Sequence, residues 1–169
     1  FFGKKMKNLA SYDIIRAMYS QNEAELIAIG QSIGEKLRSG DILVLSGDLG
    51  AGKTTLTKGI ARGLEVQQMI KSPTYTIVRE YEGRLPLYHL DVYRIGNDPD
   101  SIDLDDYLYG DGVTVIEWGE LLDDRLLGDY LTLFIEKSGD GCQLSGLAHG
   151  LRSQVLKEEI FNDQQRNSL

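Results

Sequence analysis

From Ser20 onward the apolar residues Leu26, Ile29, Ile33 and Leu37 recur three or four apart, which predicts an amphipathic helix. Ser20 and Glu23 have capping-box spacing and mark its start, and Gly40 is the expected stop. The pattern then changes. Ile42-Leu43-Val44-Leu45 is continuously apolar, as in a strand buried on both faces. A glycine-rich turn from Gly47 to Gly52 follows, and a second helix is predicted from Lys53 to about Leu64.

The second half reads mainly as strands. Tyr75 to Tyr81 is β-branched and aromatic, Glu82-Gly83-Arg84 is a turn, and Leu85 to Leu90 returns as a second strand, so a hairpin is expected. Pro86 marks a place where the ladder does not need an N–H. Residues 96–101 read as a polar loop, Leu104 to Leu108 as a short helix, and Val113-Thr114-Val115-Ile116 as another buried strand. Tyr130 to Glu136 and Cys142 to Leu147 form a late hairpin around Ser138-Gly139-Asp140-Gly141, and Leu151 to Phe161 closes the pattern as a helix. No internal repeat or linker interrupts this order. The expectation is a single α/β domain over residues 18–169, with a mixed sheet flanked by helices. Residues 1–17 have no periodicity and read as an N-terminal extension.

Composition narrows the class. The chain has 169 residues, 41% hydrophobic and 26% charged, as in an ordinary globular domain. No apolar run is long enough to span a bilayer, and the one cysteine, Cys142, precludes an intrachain disulfide. A cytoplasmic protein without a membrane role is expected. The net charge of −8 argues against a chain that grips nucleic acid by itself. Any role on nucleic acid is expected to run through a partner.

The candidate chemistry lies in the glycine-rich turn. Gly47-Asp48-Leu49-Gly50-Ala51-Gly52-Lys53-Thr54 matches G-x-x-x-x-G-K-[ST]. Glycines let the backbone approach an anion, and successive N–H groups then point at it. The helix from Lys53 aims its positive end at the same place. Lys53 can reach β- and γ-phosphates, and the Thr54 hydroxyl can bind Mg²⁺. The flanking strand and helix are the context the motif demands, so a nucleotide triphosphate with Mg²⁺ is the expected ligand.

A P-loop also needs an acid for the metal or its water. Two apolar strands end in one, at Asp91 and at Glu117, where ligands of open α/β sheets sit. The pattern leaves open which of the two binds metal. His89 precedes Asp91 by two residues and shares its side of the strand; it reads as a packing histidine ahead of a catalytic base. Trp118 reads as a core or rim aromatic, and Cys142 as a small buried hydrophobe. The N-K-x-D element of common GTPases is absent, which favours ATP. A P-loop small-molecule kinase is the alternative, although Arg79, Arg84 and Arg94 sit around a hairpin and not in a helical lid.

Several segments together resemble the TsaE (YjeE) ATPases. The stretch Gly47 to Thr55 looks like their P-loop, Lys71-Ser72-Pro73-Thr74-Tyr75-Thr76 like their switch I, His89-Leu90-Asp91-Val92-Tyr93-Arg94 like switch II, and Val115-Ile116-Glu117-Trp118 like their Walker B strand end. The resemblance covers about Tyr19 to Ile135. It implies an Mg²⁺-dependent ATPase for threonylcarbamoylation of adenosine next to the anticodon of tRNAs reading ANN codons, working with the TsaD–TsaB pair. By the same resemblance Asp48, Leu49, Gly50, Ala51, Gly52, Lys53, Thr54 and Thr55 would cradle ATP. Thr54 and Glu117 would hold Mg²⁺, and Asp91 would serve the metal or the attacking water. Thr74 would sense the γ-phosphate, Trp118 would be functionally required, and Glu23 would lie near the adenosine. Many members carry a basic residue just after the turn at Gly141; here Cys142 and Gln143 follow it.

Overall fold

The computed structural model describes residues 18–48, 50–71, 78–92, 104–119, 122 and 124–167. In chain order the elements are β1 (Met18–Ser20), α1 (Glu23–Lys36), β2 (Ile42–Ser46), α2 (Lys53–Gly63), β3 (Val78–Tyr81), β4 (Leu87–Asp91), α3 (Asp105–Leu108), β5 (Val113–Glu117), α4 (Asp124–Leu127), β6 (Leu131–Ser138), β7 (Gly141–Ala148) and α5 (Leu151–Asn167). Among the described residues the strands form one seven-stranded sheet in the order β1-β7-β6-β2-β5-β4-β3. The central β6-β2-β5-β4 contacts are parallel. The edges are antiparallel, through β3–β4 on one side and β6–β7–β1 on the other. This is the mixed α/β sheet the sequence predicts.

Alternating strand residues feed two cores. Leu43, Leu45, Val113, Val115, Leu131, Leu133 and Ile135 pack with Leu26, Ile29 and Ile33 of α1, Leu56 and Ile60 of α2, and Leu156, Ile160 and Phe161 of α5. Ile42, Val44, Leu90 and Ile116 face the other way, onto Leu108 of α3 and Leu127 of α4. Strands covered on both faces read as unbroken apolar runs, which is why β2 and β5 stand out in the sequence.

The helix α1 begins two residues later than its capping signal suggests. Asn22 is the N-cap, its side chain accepting from the Glu25 N–H at 2.9 Å. The Glu25 carboxylate accepts from the Gln21 N–H at 2.7 Å. Two overlapping x-x-Glu frames exist here, and Ser20 is taken up by β1, where its hydroxyl donates to the Asn22 carbonyl. Nor does Gly40 end α1. The helix stops at Lys36 with Leu37 extended, and Arg84 satisfies its last carbonyls, Nη2 donating to Gly34 and Leu37. Gly40 instead occupies the turn into β2 at φ +89°. The Tyr75–Ile77 part of the predicted strand, the loop 96–101 and the extension 1–17 lie outside the described residues.

The helices α1 and α2 cross backbone to backbone. A Cβ on Gly34 would stand 2.2 Å from the Ile60 carbonyl oxygen, and one on Gly59 would stand 2.3 Å from that of Ile27. Gly30 and Gly63 complete the crossing in the same way. Side chains are absent from this seam, so the helix that follows the P-loop is held directly against α1.

The last helix is anchored by charge. The Arg152 guanidinium makes a two-pronged contact with buried Asp41, Nε to Oδ1 at 3.0 Å and Nη2 to Oδ2 at 2.9 Å, the strong form of an ion pair. Asp129 accepts from the Arg152 and Ser153 N–H groups at 2.8 and 3.0 Å and so caps α5 from outside it. Partial burial pushes the Asp129 carboxyl up, but the Ser153 hydroxyl, the two backbone donors and the Arg152 charge outweigh it and hold the carboxyl below its ordinary value. A depressed carboxyl contributes stability above the unfolded pKa of about 3.9 and loses it as pH falls through the lower folded value. Asp129→Ala is therefore expected to cost about 1 kcal/mol at neutral pH, as other cap deletions do. The gap to the unmodified protein should close as urea melts are carried below about pH 3.9. A pH-independent gap would remove the cap from the account.

Candidate functional site

Ser46 ends β2, and the chain turns through Asp48, Gly50 and Ala51, with the Ala51 N–H donating to the Asp48 carbonyl at 3.0 Å. Leu49 lies outside the described residues. Gly52 then takes φ +118° as the N-cap of α2, a conformation that a Cβ would oppose. Unlike α1, α2 has no side-chain cap and no acid in its first turn. Among the described residues its first N–H groups meet no capping side chain, and a helix N-terminus carries partial positive charge.

The strands bring the acids to the same place. Glu117 pairs in register with Leu45 on one side and Asp91 on the other, so it ends the strand beside the one that launches the P-loop, and Asp91 stands one strand further out. A cleft of about 250 Å³ is lined by Gly50, Gly52, Lys53, Thr54, Thr55, Asp91, Glu117 and Trp118. Two carboxylates on neighbouring strand ends repel unless a cation or proton intervenes. With the Thr54 hydroxyl they offer hard oxygen donors, which suits Mg²⁺. Among the described residues no three His, Cys, Asp or Glu side chains cluster as a metal cage.

Lys53 is buried, and its Nζ sits 4.3 Å from the centre of the Trp118 ring. Among the described residues its ammonium meets this ring, not a carboxylate. Trp118 itself has φ +62°, a left-handed conformation costing a bulky residue about 1–3 kcal/mol. The strain lies at the strand end that carries Glu117, in the turn that presents the indole to Lys53. A cation–π contact is worth about 0.5–2 kcal/mol, less than the charge-assisted hydrogen bonds that an anion would offer the ammonium.

A second cleft, also about 250 Å³, opens on the other side of the P-loop. Its walls include Asn22, Glu23, Ala51, Thr55, Lys137 and Cys142, and it shares Gly50 and Thr55 with the first. Glu23 thus stands beside the P-loop but away from the acids. Lys137 is the residue that sequence reasoning missed. It lies on β6 directly opposite Cys142 on β7, so a cation reaches this wall from the other strand of the hairpin. Cys142 is buried, and burial pushes its thiol pKa up, in keeping with a packing role. Thr74 lies outside the described residues.

His89 is fully buried. Its Nε2 is 3.2 Å from Glu117 Oε2, but out of line, so neither ring nitrogen has an aligned hydrogen bond among the described residues.

The family model described as "Threonylcarbamoyl adenosine biosynthesis protein TsaE" matches residues 20–143. The chain belongs to the TsaE family. It is 43% identical over 141 residues to the tRNA threonylcarbamoyladenosine biosynthesis protein TsaE of Bacillus subtilis, covering 82% of this chain and 89% of that one. The protein of the same name from Treponema pallidum is 44% identical over 114 residues, covering 66% and 84%. Among solved structures, the crystal structure of Bacillus subtilis YdiB is similar at a TM-score of 0.76 and 37% identity, covering 90% of this chain and 95% of that one. The TsaE match contains every residue lining the two clefts. The charge anchor on α5 falls beyond it.

Proposed function

We propose that this chain is an Mg²⁺-dependent ATPase that supports threonylcarbamoyladenosine formation in tRNA, acting with a TsaD–TsaB pair in the cytoplasm and meeting tRNA only through that pair. The observation that carries the ATPase reading is the first cleft, where the uncapped end of α2 with Lys53 and Thr54 faces Glu117 and Asp91. The names of its relatives support the pathway. The P-loop N–H groups and Lys53 would bind the phosphates, and Thr54 and Glu117 would hold Mg²⁺. Asp91 would serve the metal or orient the attacking water, with Thr74 as the γ-phosphate sensor. When bound, Mg²⁺ supplies charge neutralisation across the phosphates. The second cleft would take the nucleoside, with Glu23 and Lys137 at its walls. The small-molecule kinase reading loses Arg84 as a phosphoryl clamp, because that side chain caps α1.

The test is phosphate release from ATP by the protein alone and with TsaD–TsaB, with modified adenosine in tRNA followed in parallel. Stimulated release together with multiple rounds of modification supports the proposal. A phosphorylated small acceptor would replace it by the kinase reading.

Lys53→Ala removes charge-assisted contacts worth about 1.5–3 kcal/mol. ATP affinity by calorimetry should fall at least tenfold, with the melting curve preserved. Unchanged binding would take the P-loop out of the ligand site. Lys137→Ala should weaken ATP by only about two- to fivefold, since an exposed charge contributes about 0.5–1 kcal/mol, and the loss should shrink at high salt. An effect indifferent to salt would exclude a direct charge contact.

A further inference from the structure

We infer that His89 is a positioning residue for Glu117, holding one carboxylate oxygen so that the other is presented to the cleft. The inference rests on the reading of Glu117 as a metal-binding residue. A fully buried imidazole with no aligned partner is costly to keep. An ordinary packing position would take an apolar side chain of similar size at less cost, as its neighbours on the same face, Leu87 and Val115, do. The register explains the placement. His89 lies opposite Val115, and Glu117 follows Val115 by two residues, so both side chains leave the same face of adjacent strands. That puts Nε2 at 3.2 Å from Oε2, a hydrogen-bonding separation that lacks only alignment. Both the Nε2–H tautomer and the imidazolium present a donor at that atom.

The division of labour between the two residues follows from their exposure to the cleft. Glu117 lines it and His89 does not. A carboxylate at a strand end can swing between rotamers, and only some of them aim an oxygen at Thr54 and the P-loop. A donor fixed in the sheet beneath it selects among them, as partners behind metal-binding side chains do elsewhere, where their loss costs about 10–100-fold in metal affinity.

The experiment measures Mn²⁺ binding to the full-length protein saturated with ADP, by electron paramagnetic resonance, in His89→Leu, His89→Gln, Glu117→Gln and the double variant His89→Leu/Glu117→Gln. His89→Leu should weaken Mn²⁺ about tenfold while metal-free ADP affinity stays near the unmodified value and the melting temperature does not fall. His89→Gln carries an amide donor close to the position of Nε2 and should restore most of the loss. The double variant should lose no more than Glu117→Gln alone. Mn²⁺ affinity unchanged in His89→Leu while Glu117→Gln weakens it would overturn the positioning role and leave the metal reading intact. Unchanged affinity in Glu117→Gln would overturn the metal reading itself. Should His89→Leu fail to fold, His89→Gln decides. A folded glutamine variant that binds Mn²⁺ as weakly as Glu117→Gln overturns the proposal, and one that binds it normally upholds the donor.

Discussion

Glu117→Ala should leave ATP bound and the protein folded, yet lower phosphate release on the order of 10²–10³-fold, the usual cost of deleting one group that stabilises transition-state charge. Glu117 ends the strand next to β2 and lines the same cleft as Lys53 and Thr54. On the proposed reading its carboxylate would hold the Mg²⁺ that offsets the negative charge building on the phosphates as water attacks. Asp91→Ala should also depress release strongly, and comparing the two assigns the metal. The variant whose rate recovers at high Mg²⁺ is the one that lost a direct ligand. Single-turnover release with saturating ATP is the measurement. A rate like that of the unmodified protein in either variant would reduce that acid to a solvated strand end.

Gly34→Ala should destabilise the protein, against the sign that helix propensity dictates. Glycine within a helix normally costs about 0.5–1 kcal/mol relative to alanine, so an exposed Gly34 would gain from the change. Here the new Cβ would meet the Ile60 carbonyl oxygen at 2.2 Å and the Gly63 Cα at 2.9 Å. Those are backbone atoms, and no side-chain rotation makes room. The helices must separate, which at a packed seam costs about 1–3 kcal/mol. Gly34→Val should reach at least the upper end of that range, a fall in melting temperature of about 6–12 °C for a chain of this size. ATP affinity should fall as well, although Gly34 is absent from both clefts, because α2 cannot leave α1 without carrying the P-loop along. Urea melts read the first effect and calorimetry the second. An alanine variant more stable than the parent would mean that the helices are not in backbone contact.

Much of this architecture is legible in the sequence because burial is regular there. β2 and β5 are apolar throughout, α1 keeps its stripe, and the P-loop signature fixes the strand–turn–helix around it. What escapes is set by pairing between distant residues. β1 has three residues and no pattern of its own; it exists because Met18, Tyr19 and Ser20 pair with Leu144, Gln143 and Cys142. The Asn22 cap is obscured by a competing frame at Ser20 that only β1 resolves. Lys137 becomes a candidate once the hairpin register puts it opposite Cys142. Even an acid at a strand end is visible as such, but its distance from the P-loop depends on strand order, and strand order is not written locally. The glycines of α1 and α2 look like propensity defects until each helix is seen to be the other's reason for them.

The strand order also sets when the site can exist during synthesis. β2 carries the P-loop, yet its neighbours β5 and β6 both come later in the chain, and β1 pairs with a strand more than a hundred residues downstream. Pairings this remote close slowly, and domains assemble as their segments emerge from the ribosome. The helices α1 and α2 can meet early, because their glycine seam joins neighbours in sequence. The acids and the hairpin wall must then be added to a loop that has already formed. A nascent chain halted before β6 would therefore display the phosphate-binding signature without its full walls. Nucleotide should bind such a chain more weakly, and protect it less from proteolysis, than it does once the β6–β7 hairpin has been made.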